Sequence, residues 1–200
     1  MVSVGLVLLT LGPLPIDEPA VEGLEEGVLR SFHDDLALPY GPTWVLMQCG
    51  SVAVVPVAVV AARVARRRRL AVTAGAAGLL VYGLGKVVRH LVVRGRPAKV
   101  LDGVTILGDP AVGSGYLSGH MALAVAVAAA VTPYVGWRGR ALVWAVALFV
   151  GVARMHVGAH MPLDVTGGAG LGLAGWAVVH LIVLAVERGR DGEPESGLSR

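Results

Sequence analysis

Long apolar runs separated by short polar links dominate this chain. A membrane-spanning helix needs about 20 predominantly apolar residues, and the runs that qualify cover 44–62, 70–93, 121–137, 141–157 and 165–186. Residues 1–16 form a shorter apolar run ended by glycine and prolines, which we interpret as an abbreviated first span, with a partial or interfacial segment as the alternative. Pro56 is expected to kink a continuous span. The pattern predicts an all-α polytopic transmembrane helical bundle of about six spans.

Two stretches lie outside the apolar runs. Residues 17–42 are rich in acids, and their apolar residues recur at helical spacing: Val21, Leu24, Val28, Leu29, Phe32 and Leu36. This pattern suits an amphipathic helix at the bilayer surface. We interpret 17–42 as an extracytoplasmic amphipathic connector, with a cap over the site or a guide for lipid as alternatives. Residues 188–200 are polar and of mixed charge, which predicts a frayed cytoplasmic tail after a single integral membrane domain at 1–187.

Composition and charge set the class and the orientation. Hydrophobic residues make up 55% of the chain and charged residues 16%, which excludes an ordinary soluble domain. Arginines without acids fill the link after the second predicted span, and Arg138 and Arg140 lie in the link after the fourth. The positive-inside rule makes both links cytoplasmic, and we expect the protein to lie in the plasma (inner) membrane. We therefore interpret the basic cluster as a topology signal and expect no nucleic-acid partner.

Three polar motifs lie at the opposite ends of these spans, on the predicted extracytoplasmic side. They are Arg89-x6-Arg96-Pro97, Ser118-Gly119-His120 and Arg154-x5-His160-x3-Asp164. Ionisable residues at such positions are costly unless they serve a function. Arg89 and Arg96 stand about two helical turns apart, and a guanidinium matches phosphate oxygens. Lys86, Arg94 and Lys99, by contrast, are interpreted as side chains that extend to lipid head groups.

The second and third motifs add chemistry to the first. Ser118 precedes an apolar run, where it is expected to cap a helix whose N-terminus suits an anion. His160 and Asp164 are four residues apart, so we expect Asp164 to accept from one ring nitrogen while the other faces substrate. Pro162 suits the first turn of the last helix. His33, His90 and His180 are interpreted as structural residues.

The three motifs, in this order and with these spacings, resemble the signature motifs of the type 2 phosphatidic acid phosphatase superfamily. The family pattern is Lys-x6-Arg-Pro, then Pro-Ser-Gly-His, then Ser-Arg-x5-His-x3-Asp. The matching stretch runs from Arg89 to Asp164. It departs from the pattern at Arg89, Leu117 and Ala153, where the family usually has lysine, proline and serine.

The resemblance implies a membrane lipid phosphatase that acts without cofactor or metal. It assigns His160 as the nucleophile, His120 as general acid and base, and Asp164 as the residue that holds His160. It assigns phosphate binding to a further set: Arg89, Arg96, Ser118, Gly119 and Arg154. The expected partners are the bilayer and a lipid phosphate such as a polyprenyl diphosphate, phosphatidate or phosphatidylglycerol phosphate. The oligomeric state stays open.

Three other interpretations compete with the phosphatase. His156, His160 and Asp164 have the spacing of a helical metal site, but Pro162 and the nearby arginines oppose it. An intramembrane serine protease of the rhomboid kind would carry Gly-x-Ser-Gly, whereas Tyr116 occupies the first position here. A non-catalytic binder or transporter of anionic lipid would use the same cationic pocket.

Overall fold

The computed structural model of this chain describes Ser3, Gly5, Leu6 and residues 19–108 and 113–191. The predicted first span at 1–16 lies outside the described residues, apart from those three. They are helical, and Gly5 lies against Gly170 and Ala174 of the last helix. Of the predicted tail at 188–200, residues 188–191 continue that last helix.

The described part of the chain is built from helices and contains no strand, which confirms the predicted fold class. The helices are α1 (Pro19–His33), α2 (Tyr40–Met47), α3 (Val54–Val64), α4 (Arg68–Leu91), α5 (Pro97–Val100), α6 (Gly119–Val131), α7 (Trp137–His156) and α8 (Pro162–Asp191). Short 3-10 turns follow two of them, at Gln48–Gly50 after α2 and at Thr132–Tyr134 after α6.

Among the described residues, three helices are long and apolar enough to cross a membrane, namely α4, α7 and α8. The pair Tyr40–Gly50 and Val54–Val64 makes a fourth if it counts as one span, although it is bent by 67°. The segment Gly119–Tyr134 is apolar but shorter. The described residues therefore contain three or four candidate spans, so the predicted total of six is not reached within them.

The bend in the second predicted span is not where the sequence placed it. The helix breaks at residues 51–53, and Pro56 lies in the first turn of α3 rather than at a kink. The first turn of a helix has no intrahelical acceptor for its N–H groups, so a proline is tolerated there. Gly50 lies just before the break and allows a close approach to α6, since a Cβ on it would come 2.5 Å from the carbonyl oxygen of His120. The bend thus sits directly against the second motif.

Helix α6 lies at the centre of the bundle and packs against α4, α7 and α8. Nine of its residues are buried, most of them alanines. An apolar surface on all sides is what a helix surrounded by other helices requires. Gly172 of α8 has no room for a Cβ beside the carbonyl oxygen of Ala122, and Gly168 has none beside that of Ser118. Small residues therefore let α6 and α8 approach closely, as in other membrane bundles.

The two basic links lie at one end of this bundle. The guanidinium of Arg67 lies 5.7 Å from the ring centroid of Tyr134, and Arg140 Nε donates to the carbonyl oxygen of Thr132. Arg69 pairs with Glu187 near the end of α8. The three polar motifs meet at the other end, where α4 ends and α6 and α8 begin.

Candidate active site

His160 lies in the short loop between α7 and α8 and is almost fully buried. Its Nδ1 is 2.9 Å from the carbonyl oxygen of Gly115. A carbonyl oxygen only accepts, so this contact places the hydrogen on Nδ1 and leaves the lone pair on Nε2. The ring is therefore held in the tautomer that a nucleophilic Nε2 requires.

Asp164 lies in the first turn of α8 and has no solvent exposure. Its Oδ2 accepts from the Met161 N–H at 2.8 Å, the contact of an acid that caps its own helix. The distance from Oδ2 to His160 Nδ1 is 3.6 Å, which is too long for a hydrogen bond. The expected bond from the histidine to Asp164 is replaced by the bond to Gly115. Asp164 thus acts on His160 through its charge.

The position that accepts the hydrogen bond from His160 requires glycine, because a side chain would not fit there. A Cβ on residue 115 would come 2.8 Å from the carbonyl oxygen of Gly95 and 3.3 Å from Asp164 Oδ2. The N–H of Gly115 donates to the carbonyl oxygen of Arg94 at 2.7 Å. The segment that holds His160 is therefore fastened to the link after α4.

The second motif forms the N-terminus of α6. Ser118 is the N-cap residue, and its Oγ accepts from the Met121 N–H at 3.5 Å, as expected from the sequence. The N–H of Ser118 donates to the backbone oxygen of Asp164 at 2.9 Å, which ties α6 to α8. The guanidinium of Arg89 lies over this helix end, with Nη1 3.4 Å from where a Cβ of Gly119 would stand. An arginine and a helix N-terminus thus meet at one place, which favours an anion.

Arg96 is held by the two loops that flank the site. Its Nη1 donates to the carbonyl oxygen of Ala159 at 2.9 Å and its Nε to that of Gly113 at 3.3 Å. Arg96 is also the N-cap residue of α5, where Pro97 occupies the first turn. Burial, with a smaller contribution from Arg89, lowers the pKa of Arg96, although Asp164 opposes the shift. The guanidinium is fixed beside the residue that precedes His160.

Arg154 and His120 line a cavity of about 150 Å³ whose wall includes Tyr40 and Trp44 of α2. Arg154 Nη1 lies 3.6 Å from the sulfur of Met47. Its Nε is buried and has no hydrogen-bond partner in the described part of the chain. A buried donor without a partner is costly in free energy, and a ligand with acceptor atoms in the cavity would offset this cost.

The predicted site residues converge in the structure. His120 is within electrostatic range of Arg89, Arg154 and His160. Burial is the main cause that lowers the pKa of His160 to about 4, and the charge of Arg154 adds to it against the opposing carboxylate of Asp164. The imidazole is therefore neutral near pH 7, and the cations Arg154 and Arg96 lie within electrostatic range of it.

The sequence misjudged one residue of this region. Arg94, interpreted as a side chain at the lipid head groups, is only 8% exposed and donates to Asp164 Oδ1 at 2.8 Å. It also pairs with Glu25 of α1. The sequence contained a signal for this burial of Glu25. Glu25 stands four residues before Leu29 and seven before Phe32, so it lies on the apolar face of α1. Leu117 and Ala153, the two apolar departures from the family pattern, are fully buried in apolar clusters.

The structure argues against two of the competing interpretations. Both ring nitrogens of His156 face backbone carbonyls, Nδ1 that of Phe32 at 2.9 Å and Nε2 that of Leu38 at 3.3 Å. No group of three His, Cys, Asp or Glu side chains suited to a metal ion occurs among residues 19–108 and 113–191. The hydroxyl of Ser118 is completely buried and serves as a helix cap, which is not the setting of a protease nucleophile.

Comparison with known proteins gives one family and two related folds. The sequence profile of the PAP2 superfamily matches residues 68–188. No curated protein sequence matches this chain significantly. The crystal structure of LpxE from Aquifex aeolicus is similar with a TM-score of 0.72 at 22% identity, over 78% of this chain and 94% of that one. A transmembrane PAP2-type phosphatidylglycerolphosphate phosphatase from Bacillus subtilis is similar with a TM-score of 0.73 at 23% identity, over 94% and 97% of the two chains.

At 22% and 23% identity, the two structures show that the fold is shared. Together with the apolar helices, this fold makes the protein a multi-pass membrane protein. The matched segment covers more than half of the chain and contains all three polar motifs. This chain belongs to the PAP2 superfamily.

Proposed function

We propose that this protein is a membrane lipid phosphatase that hydrolyses a lipid phosphomonoester or diphosphate through a phosphohistidine intermediate. One observation carries the proposal. The Nδ1 of His160 is engaged by Gly115, so the lone pair of Nε2 is available at a site lined by arginines. The family and the fold support a phosphatase, and the chemistry below assigns steps to the residues.

In the first step, Nε2 of His160 attacks phosphorus and forms a P–N bond while the bond from phosphorus to the leaving oxygen breaks. His120 donates a proton to that oxygen, which departs as an alcohol or, from a diphosphate, as a phosphomonoester. Positive charge develops on the His160 ring during the attack. The carboxylate of Asp164, 3.6 Å from Nδ1, stabilises that charge.

In the second step, a water molecule gives a proton to His120 and its oxygen attacks phosphorus. The P–N bond breaks, inorganic phosphate is released and His160 returns to its neutral form. Neither step calls on a metal ion, because the charge on the phosphoryl oxygens is met by guanidinium groups and backbone N–H groups. Phosphoryl transfer depends mainly on this kind of positioning and charge stabilisation.

Five groups hold the transferred phosphate in this proposal. Arg89 and the N–H of Gly119 act from the α6 terminus, Arg96 acts from the link after α4, and Arg154 acts from the cavity wall. Ser118 acts from the same terminus, since its Oγ accepts from the Met121 N–H and its hydroxyl hydrogen can donate to a phosphoryl oxygen.

The substrate is a lipid that reaches the site from the outer leaflet of the plasma (inner) membrane, because the basic links lie at the other end of the bundle. Tyr40 and Trp44, which line the cavity beside His120, are about half exposed. Aromatic side chains with an apolar body and a polar tip suit the membrane interface. Polyprenyl diphosphate, phosphatidate and phosphatidylglycerol phosphate are the candidates, and the last is named by the similar structure from Bacillus subtilis.

The test is phosphate release by purified protein from a panel of these three lipids, with and without chelator. We expect turnover of at least one lipid, inhibition by vanadate and no effect of the chelator. The variant His160→Ala should lose at least about 10³-fold in kcat, whereas His90→Ala, which changes an exposed histidine of α4, should not. Rapid quenching at alkaline pH followed by mass spectrometry should find phosphate on His160.

Three results would overturn the proposal in whole or in part. Unchanged phosphate release by His160→Ala would refute the assignment of His160 as the nucleophile. Binding of anionic lipid vesicles without turnover of any lipid in the panel would leave a non-catalytic binder or transporter. A metal that is stoichiometric and needed for turnover would overturn the metal-independent chemistry.

A further inference from the structure

Three charged side chains beside His160 form a buried network. Asp164 belongs to the third motif, whereas the other two are not residues of any motif. Glu25 of α1, Arg94 after α4 and Asp164 of α8 are 5%, 8% and 0% exposed. Arg94 donates through Nη1 to Asp164 Oδ1 at 2.8 Å and through Nη2 to Glu25 Oε2. Glu25 lies outside the segment that matches the family, and Arg94 lies between the two arginines of the first motif.

Glu25 also holds the turn on which Asp164 stands. Its Oε1 accepts from the N–H of Leu163 at 2.8 Å, while Asp164 accepts from the N–H of Met161. The first N–H groups of a helix have no acceptor within it. Two carboxylates, one from α1 and one from α8 itself, supply acceptors for the start of α8. A shift of α1 would therefore disturb the turn that carries Asp164.

The same helix is anchored in the apolar core one turn later. Leu29 has no solvent exposure and packs in a cluster with Met161 and Val104. Leu24 and Val28 remain exposed on the other face of α1. This orientation buries an acid together with a leucine, whereas a helix lying on a bilayer would turn its acids to water. Helix α1 is a docked part of the site.

The net charge of the network determines the electrostatic potential at His160. Two carboxylates and one guanidinium carry a net charge of −1. Arg94 on its own would neutralise Asp164, and the second carboxylate of Glu25 prevents this. A buried charge that loses its partner is strongly destabilising. The three side chains therefore work as a unit.

We propose that Glu25 and Arg94 are positioning residues that hold Asp164 in place and keep it negative behind His160, with α1 docked over the site through the same contacts. The proposal rests on the proposed function, since it deepens the role of Asp164. Asp164 stabilises the charge that develops on His160 during phosphoryl transfer. Glu25 and Arg94 touch neither substrate nor the ring in this scheme.

The first experiment is a double-mutant cycle on kcat with Glu25→Gln, Arg94→Gln and the double variant. Glu25→Gln keeps an acceptor for the N–H of Leu163 but leaves the network neutral, so kcat should fall roughly tenfold with KM changed less than about threefold. Arg94→Gln leaves two carboxylates without a cation, which should lower both kcat and the folded yield. The double variant restores the net charge of −1, so its kcat should exceed that of either single variant.

Matched controls make the same chemical changes at exposed neighbours. Glu26→Gln alters the next residue of α1, which pairs with Arg30 at the surface, and Lys99→Gln removes an exposed cation of α5. Both should keep wild-type kcat and KM. Losses that multiply in the double variant, or a Glu25→Gln variant with wild-type kcat, would overturn the positioning role. The Glu25→Gln and double variants keep the test valid even where Arg94→Gln fails to fold.

The second experiment does not depend on activity. Hydrogen–deuterium exchange of peptides from α1 should be faster in Arg94→Gln than in the wild type, with the double variant between them and Lys99→Gln equal to the wild type. Unchanged exchange in Arg94→Gln would overturn the docking of α1. Inactive wild-type protein with a protected α1 would refute the proposed function, whereas active wild-type protein with an unaffected Glu25→Gln variant would refute the positioning role alone.

Discussion

Replacing Arg154 by methionine should make the protein more stable and less active at the same time. Arg154 Nε is buried without a hydrogen-bond partner in the described part of the chain, and Nη1 meets only the weak acceptor of Met47 at 3.6 Å. The charge of Arg96 also opposes that of Arg154. Methionine has a similar length and no donor to satisfy. Without a bound anion, the guanidinium is a cost to folding.

The size of both effects follows from these contacts. A buried polar group without a partner costs about 1–3 kcal/mol, so the free energy of unfolding should rise by about that amount in Arg154→Met. For a chain of this length this corresponds to an apparent melting temperature higher by on the order of 5 °C. The loss of one donor to the phosphoryl oxygens should lower kcat about 10²- to 10³-fold.

Thermal unfolding of detergent-purified protein, with and without vanadate, measures both consequences. Vanadate at about 100 times its Kd should stabilise the wild type by about 2.7 kcal/mol, and this stabilisation should be largely lost in Arg154→Met. Arg138→Met is the matched control, because Arg138 belongs to the same helix but is exposed and stacks on Trp137. A variant that is less stable without anion, or one that keeps the full vanadate effect, would refute the reasoning.

Three further predictions follow from glycine contacts and from the state of His160. Gly115→Ala should lower kcat at least about tenfold, because a Cβ 2.8 Å from the carbonyl oxygen of Gly95 displaces the backbone that orients His160. Gly41→Ala is the control and should leave kcat unchanged, because a Cβ on residue 41 has open space around it. A Gly115→Ala variant with wild-type kcat would contradict the assigned tautomer. Gly172→Val should lower the free energy of unfolding by about 1–3 kcal/mol or more by forcing α6 and α8 apart, whereas Gly189→Val on the same helix should not, as chemical or thermal unfolding would measure. Because burial holds the pKa of His160 at about 4, the ring stays neutral and nucleophilic above that pH. The acid limb of phosphoenzyme formation in single turnovers should therefore lie near pH 4, and an acid limb near the ordinary histidine value would show that the ring is not buried as described.

The sequence by itself determined the helical class, the position of the apolar segments and the three polar motifs. These features depend on local pattern, because each apolar run needs only its own composition and each motif its own spacing. The helices α4, α7 and α8 lie close to their predicted runs. The capping role of Ser118 and the place of Pro162 at the start of α8 were also predictable, since a helix end is set by its neighbouring residues.

Only the tertiary structure decided which groups His160 and Asp164 contact. The spacing of four residues favours a bond between them, but the backbone of Gly115 comes closer to the ring from another part of the chain. Arg94 looked like a residue of the membrane surface because its partners, Glu25 and Asp164, are about 70 positions away in sequence. Whether a charge is paired or solvated depends on what the packing of distant elements places beside it, and no local pattern records that.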